Sequence, residues 1–282
     1  MAQPNIAPAK KPAQSSSTSN SSKNAWFAPA VILGAFVLAE VVFHFVLGAA
    51  SNFEGGDPLK GHPIGGNMSG TVYKGGFIVP LLMTMFICVV VFSIERYLTL
   101  RAANGSGSLV DFLKRIKVAL EANNVDSAIA ECGKQKGSVA NIVLSGLMKY
   151  KEMSSNTELE RDQKVAAIQQ EVEEATALEM PMLNQNMPII STIASVGTLV
   201  ALLGTVIGMI KAFSALATSG APDPVALSTG ISEALINTAL GIGTSALAII
   251  MYNFFTTKID KLSYRIDEAA FSMTQSFISH NK

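Results

Sequence analysis

"STIASVGTLVALLGTVIGMIKAF" (residues 191–213) carries a single charged side chain, Lys211. Crossing the hydrocarbon core takes about 20 mostly apolar residues at a rise of about 1.5 Å each, so this stretch reads as a transmembrane helix. It also spends positions on glycine and on hydroxyls, which lipid does not demand. At about 100° per residue, Ser191, Ala194, Ser195, Gly197, Thr198, Ala201, Gly204, Thr205 and Gly208 fall on one arc. The large aliphatic residues from Ile193 to Ile210 fill the other, with Thr192 the one exception.

The next apolar run, "GISEALINTALGIGTSALAIIMYNFF" (230–255), divides in the same way. Glu233, Ala234, Asn237, Thr238, Gly241, Thr244, Ser245, Ala248 and Tyr252 share an arc of about 140°. For any one of these residues, close helix approach or a hydroxyl bonded to its own helix is a sufficient reading. Matching arcs on two successive spans ask for more, because a carboxylate facing lipid costs on the order of several kcal/mol. A shared polar interior removes that cost. Two helices enclose no cavity, so several copies are expected to close about one axis as a ring-forming homo-oligomer.

Two earlier runs complete an all-α integral membrane protein with four transmembrane helices. The expected organisation is a disordered tail over 1–25, a span over 26–50, an external Gly/Pro-rich loop over 51–75 and a span over 76–98. A helical domain over 99–186 then leads to the pore-lining spans 187–217 and 231–255, joined by a short external loop over 218–230. A helix over 256–282 ends the chain. Length, together with Glu40 and His44, argues against reading the first run as a cleaved signal peptide.

Lys and Arg orient these spans. Of 21, eleven lie between Arg96 and Lys164, four from Lys258 onward, three in the tail and two in the segment 51–75. The positive-inside rule places the tail, the segment 99–186 and the C-terminus in the cytoplasm. Within 99–186, "SLVDFLKRIKVALEAN", "VDSAIAECGKQ" and "SVANIVLSGLMKYK" have helical period. From Asn156 the chain is expected to run almost continuously into the third span, kinked at Pro181 and Pro188, as a rod of about 85 to 90 Å.

The chain has 282 residues, is 49% hydrophobic and 15% charged, and carries no formal net charge, which excludes a basic nucleic-acid binder. Cys88 and Cys132 are expected as free thiols. With His44, His62 and His280 they make no metal-ligand spacing, and neither a phosphate loop nor a nucleophile motif is present. No enzyme activity, metal or cofactor is expected.

The two stretches 191–213 and 230–255, in that order and at that distance, resemble the last two spans of the MotA/TolQ/ExbB proton-channel family, most closely its ExbB branch. "IERY" (94–97) resembles the inner end of that family's first span, and the likeness covers about residues 76 to 275. It implies a bacterial inner-membrane protein, a pentamer enclosing a dimer of ExbD-like single-span partners, each bringing an aspartate into the pore. Proton motive force would be converted into work passed to a TonB-like protein for outer-membrane transport. Alternatives are TolQ-like envelope maintenance, another stator of the family, or a passive membrane scaffold. Carried across, the family's pore threonines fall on Thr205 and Thr238, and its helix-start glutamate on Glu233. Asn237 and Thr198 join them as expected pore-lining residues, and Gly204, Gly208 and Gly241 as packing residues. Thr cannot titrate near neutral pH, so the proton carrier is expected on the partner.

Three departures accompany the likeness. Thr198 stands where proline is expected, about 20° from Thr205 around the helix, and is expected to satisfy a carbonyl. Thr244 adds a hydroxyl to the polar arc. The span 26–50 is additional to the family's three; its Glu40 and His44, spaced i,i+4, are expected to pair against the core, with an auxiliary proton or lipid-headgroup site as the alternative, and away from the main pathway in either case. Membrane lipids are expected around the whole.

Overall fold

The computed structural model describes residues 18–59, 61–218 and 224–280. Nine α-helices follow in order among the described residues: α1 Thr18–Val41, α2 Met68–Tyr73, α3 Ile78–Asn104, α4 Leu109–Glu121, α5 Val125–Gln135, α6 Ser138–Ser155, α7 Arg161–Asn184, α8 Met187–Thr218 and α9 Pro224–His280. Four of the helical segments are long and apolar enough to cross a membrane, beginning at Trp26, Ile78, Met187 and Ala226. The tail expected over 1–25 lies outside the described residues up to position 17; from Thr18 the backbone is already helical. Part of the connection expected over 218–230 also lies outside them, and α9 is under way by Pro224.

The spans meet a polar bundle at one end and a loop segment at the other. α9 serves both, since its 57 residues make a rod of about 85 Å. Beyond the apolar run it keeps a buried stripe, Ile259, Leu262, Ile266, Ala269, Met273 and Phe277, at spacings of three or four. That stripe packs against α4, α6 and α7. Tyr150 of α6 meets Phe277 edge-on at 5.0 Å. Gly146 permits the close crossing, since a Cβ there would stand 2.5 Å from Val172 and 2.9 Å from Met273.

Capping side chains set the short helices of the bundle. Ser108 accepts from Asp111 N and Asn124 from Ser127 N, and α7 opens with a reciprocal Glu160/Gln163 capping box. Cys132 of α5 is buried, and loss of water around it pushes its thiol up to about 12. An unfolded chain would ionise this thiol near its ordinary 9.0 while the native one stays protonated. The thiol's contribution is therefore intact below that value and is lost as pH climbs toward about 12. Thermal midpoints compared at neutral pH and near pH 10 should fall less in Cys132→Ala than in the parent; equal slopes would deny the thiol this role.

The expected rod from Asn156 onward is two helices. Gln185 is extended (ψ 140°) and Asn186 adopts φ 64°, which separates α7 from α8. Pro188 explains the break. In a continuing helix its ring would clash with the carbonyl four residues back, whereas in the first turn of α8 its missing N–H costs nothing. Pro181 stays inside α7. The carbonyls freed at the end of α7 are not idle. Arg96 of α3, 1% exposed, donates from Nη1 to Met182 O at 3.1 Å and Leu183 O at 3.2 Å, while its Nε and Nη2 engage Glu95. Asn186 and Thr99 also donate to Glu95.

At the loop end, segment 51–75 folds back under the spans. Phe53, 2% exposed, meets Tyr73 edge-on, and Tyr73 stacks on Phe43 at 4.6 Å. The additional helix α1 lies against α3 through buried Ala35 and Ala39, with Phe27 edge-on to Phe92. Its spanning segment continues into a π-helical turn, Val42–Leu47. Glu40 and His44 lie about 100° around from Ala39 and Phe43, on the outer side. They pair with each other at 3.3 Å, exposed and not packed against the core as expected, because Ala35, Ala39 and Phe43 occupy the inward face.

Candidate functional site

α8 and α9 run antiparallel in tight contact, and small residues govern the register. Gly197 faces Ser245, Ala201 faces Gly241, Gly204 faces Asn237, Gly208 faces Ala234 and Ala212 faces Gly230. Each step of three or four residues along α8 is matched by a step of three or four back along α9, and in every pair one member is glycine. Added Cβ atoms would meet the facing residue at 2.7 Å for Gly197, 2.8 Å for Gly204, 2.9 Å for Gly208 and 2.1 Å for Gly241. Close backbone approach through small residues is the usual basis of helix pairing in lipid.

The seam divides the polar arcs read from the sequence into two edges. On one lie Thr198, Thr205 and Thr238. Thr205 Oγ1 and Thr238 Oγ1 are 2.5 Å apart, and each also reaches its own helix, Thr205 toward Ala201 O at 3.0 Å and Thr238 toward Ala234 O at 3.0 Å. Two hydroxyls have only two protons for these contacts, so lone pairs remain to accept a further donor. Thr198 does not bond a carbonyl as expected; it donates across the seam to Ser245 Oγ at 2.9 Å. Both threonines of the central pair are half-buried.

On the other edge lie Asn237, Thr244 and Glu233, all buried. Asn237, expected on the pore wall, is turned inward, and its Nδ2 donates to Gly75 O at 3.0 Å. Glu233 sits below Gly76, where a Cβ would stand 2.5 Å from its Oε1. It accepts from Lys211 Nζ at 2.7 Å. A helix-start role for Glu233 does not hold, because α9 begins at Pro224, about two and a half turns earlier, beyond the reach of the helix-end partial charge. Lys211 is the residue that sequence reasoning passed over. The signal was available: Lys211 is the one charged residue of 187–218 and Glu233 the one of 224–255. Each lies near the same end of its span.

The structure therefore brings Thr205 and Thr238 together, sets Thr198 on the same edge, and holds Glu233 and Asn237 on the opposite one. Gly204, Gly208 and Gly241 lie in the seam between them. Glu40 and His44 are remote, since α1 packs on α3 and not on the seam. Gly241→Val is expected to push α8 off α9 and to cost about 3 kcal/mol, at the upper end of ordinary overpacking. A detergent-solubilised variant with an unchanged thermal midpoint would show that the close approach is not needed.

Residues 135–268, which contain the whole seam, match the MotA/TolQ/ExbB proton channel family. An ExbB homologue described as a biopolymer transport protein, from Methanothermobacter thermautotrophicus, is 26% identical over 199 residues, covering 69% of this chain and 66% of the relative. These residues, 135–268, belong to the MotA/TolQ/ExbB family. Within this family the chain is also similar to the biopolymer transport protein ExbB of Pseudomonas putida, 25% identical over 141 residues and covering 50% of this chain and 43% of that one. The Tol-Pal system protein TolQ of Pseudomonas aeruginosa is 28% identical over 124 residues, covering 44% of this chain and 54% of its own length. The chain thus spans about two thirds or less of these curated relatives. With four apolar helices and this family membership, it is a multi-pass membrane protein of a proton-channel family.

Proposed function

We propose that the chain is the channel subunit of a proton-driven motor, in which Thr205 and Thr238 form a hydroxyl sleeve around a carboxyl supplied by an ExbD-like partner helix. One observation carries this reading. The only carboxylate in the apolar parts of α8 and α9 is Glu233, and Lys211 neutralises it at 2.7 Å, while the threonine pair keeps hydroxyl capacity at the seam's edge. Such a wall cannot itself carry a proton, yet its lone pairs can accept from a carboxylic acid, and by releasing one of its carbonyl bonds it can donate to a carboxylate.

Copies of the chain, as a pentamer, would place their threonine edges toward a common axis occupied by a partner dimer. The Lys and Arg distribution supports an inner-membrane orientation with both termini in the cytoplasm and the loop 51–75 in the periplasm. Each proton descending 100 mV releases about 2.3 kcal/mol, sufficient to bias a rotational step. The work would pass to a TonB-like protein for outer-membrane transport. The similarity to TolQ of Pseudomonas aeruginosa favours a second reading within the same class, envelope maintenance with a different partner.

Vesicles containing the chain with a pH-sensitive dye test the proposal. The chain alone should be silent, and a co-reconstituted single-span partner bearing an intramembrane aspartate should produce proton flux that disappears when that aspartate becomes asparagine. Equal flux from the chain alone would overturn it.

A further inference from the structure

The seam between α3 and α9 opens into two cavities that the threonine site does not use. The upper one, about 250 Å³, lies among apolar residues, with Phe86 of α3 and Gly243 of α9 in its walls. The lower one, about 780 Å³, is bounded by Tyr97 and Arg101 of α3 and by Phe254, Lys258 and Lys261 of α9. From Phe86 to Tyr97 and from Gly243 to Phe254 the step is the same, eleven residues. That step is about 16 Å and returns to within about 20° of the starting face. Both cavities therefore lie on the same side of both helices, in line along one α3–α9 groove face, apolar above and basic below.

The lower cavity lies where the apolar runs end, at the level of lipid headgroups. Arg101, Lys258, Lys261 and Arg265 face it against one acid, Asp260. Arg265 is engaged by Glu268 at 2.6 Å, and Lys258 rests over the Phe254 ring at 5.5 Å. Among the described residues, Arg101 and Lys261 have no carboxylate within ion-pair distance. Exposed Tyr97 and Tyr264 supply the aromatic edge that favours a membrane boundary. At Gly243 an added Cβ would meet nothing within 4 Å, so the upper groove is open there.

We propose that this groove binds one anionic phospholipid of the bundle-side leaflet, its phosphate on Arg101 and Lys261 and an acyl chain lying past Gly243. Basic pockets between transmembrane helices suit such headgroups. Charge chooses the occupant: a lipid phosphate complements the unpaired cations, whereas a neighbouring copy carries the same basic rim at the same depth. The inference stands independently of the proton-channel reading.

Native mass spectrometry of the detergent-solubilised full chain, titrated with phosphatidylglycerol or phosphatidylcholine of the same acyl chains, tests it. Phosphatidylglycerol should be retained preferentially. Arg101→Gln with Lys261→Gln should weaken it about 25-fold, at roughly fivefold per basic residue, and bring it to the phosphatidylcholine level. Gly243→Leu, whose Cβ has open space and whose side chain would extend into the tail groove, should weaken both lipids. Equal retention of the two lipids by the parent chain overturns the proposal, as does displacement of phosphatidylglycerol by millimolar inorganic phosphate. A photoreactive probe on Gly243→Cys should form lipid adducts; adducts to a second copy of the chain would assign the groove to a subunit contact instead.

Discussion

Replacing Arg96 by methionine is expected to destabilise the protein by about 3 kcal/mol, the lower end of the cost of breaking a buried ion pair. The lower end applies because Glu95 keeps 24% of its side chain exposed and can recover some hydration. Arg96, by contrast, is 1% exposed. Its loss would strand the Glu95 carboxylate beside Asn186 and remove the cation from the carbonyls of Met182 and Leu183, where the negative end of α7 favours positive charge. Lysine should rescue only in part, since a point charge cannot bind two carbonyls and a carboxylate in one plane. A thermal midpoint lowered by roughly 6 to 12 °C is the expected readout. Glu95→Gln combined with Arg96→Met should recover part of it, because no unpaired charge then remains. Protease sensitivity should appear between α7 and α8. A midpoint within error of the parent would show that Arg96 does not hold this junction.

Thr205→Val should lower partner-dependent proton flux by about a hundredfold or more, the scale associated with removing one positioned hydrogen-bonding group from a site of developing charge. Valine keeps the shape of threonine and deletes only the hydroxyl, so the effect separates a chemical wall from a packing surface. Loss of the bonds to Thr238 and Ala201 should cost about 1 to 3 kcal/mol of stability, at about 0.5 to 1.5 for each, too little to unfold the chain. Thr238→Val should behave alike, and Thr205→Ser should retain flux. Oligomeric size on gel filtration should be unchanged in all three. Full flux in the valine variants would leave the passive scaffold as the surviving reading.

Much of this architecture was legible in local composition. The four spans follow from the length of uninterrupted apolar runs, and the bundle helices appear where 3.6-residue periodicity lies between Gly and Asn breaks. The break after Asn184 was harder to read. Pro181 and Pro188 both suggested kinks, and only the partners that satisfy the freed carbonyls separate a bend inside α7 from a true end before α8. Those partners belong to Arg96, nearly ninety residues earlier.

By itself, the sequence determined how many helices can cross a bilayer, that the last two each have a small, polar side, and that Glu233 is the single carboxylate along them. Those properties depend on hydrocarbon thickness, helical period and residue identity, all local in the chain. Tertiary structure alone decided how each polar side is shared. Periodicity defines a face about 140° wide, and a tight antiparallel neighbour occupies its middle, leaving two edges with different surroundings. Thr205 and Thr238 took one edge together. Asn237 and Glu233 took the other because Gly75, Gly76 and Lys211, distant in sequence, arrive there with a carbonyl, a space and a charge.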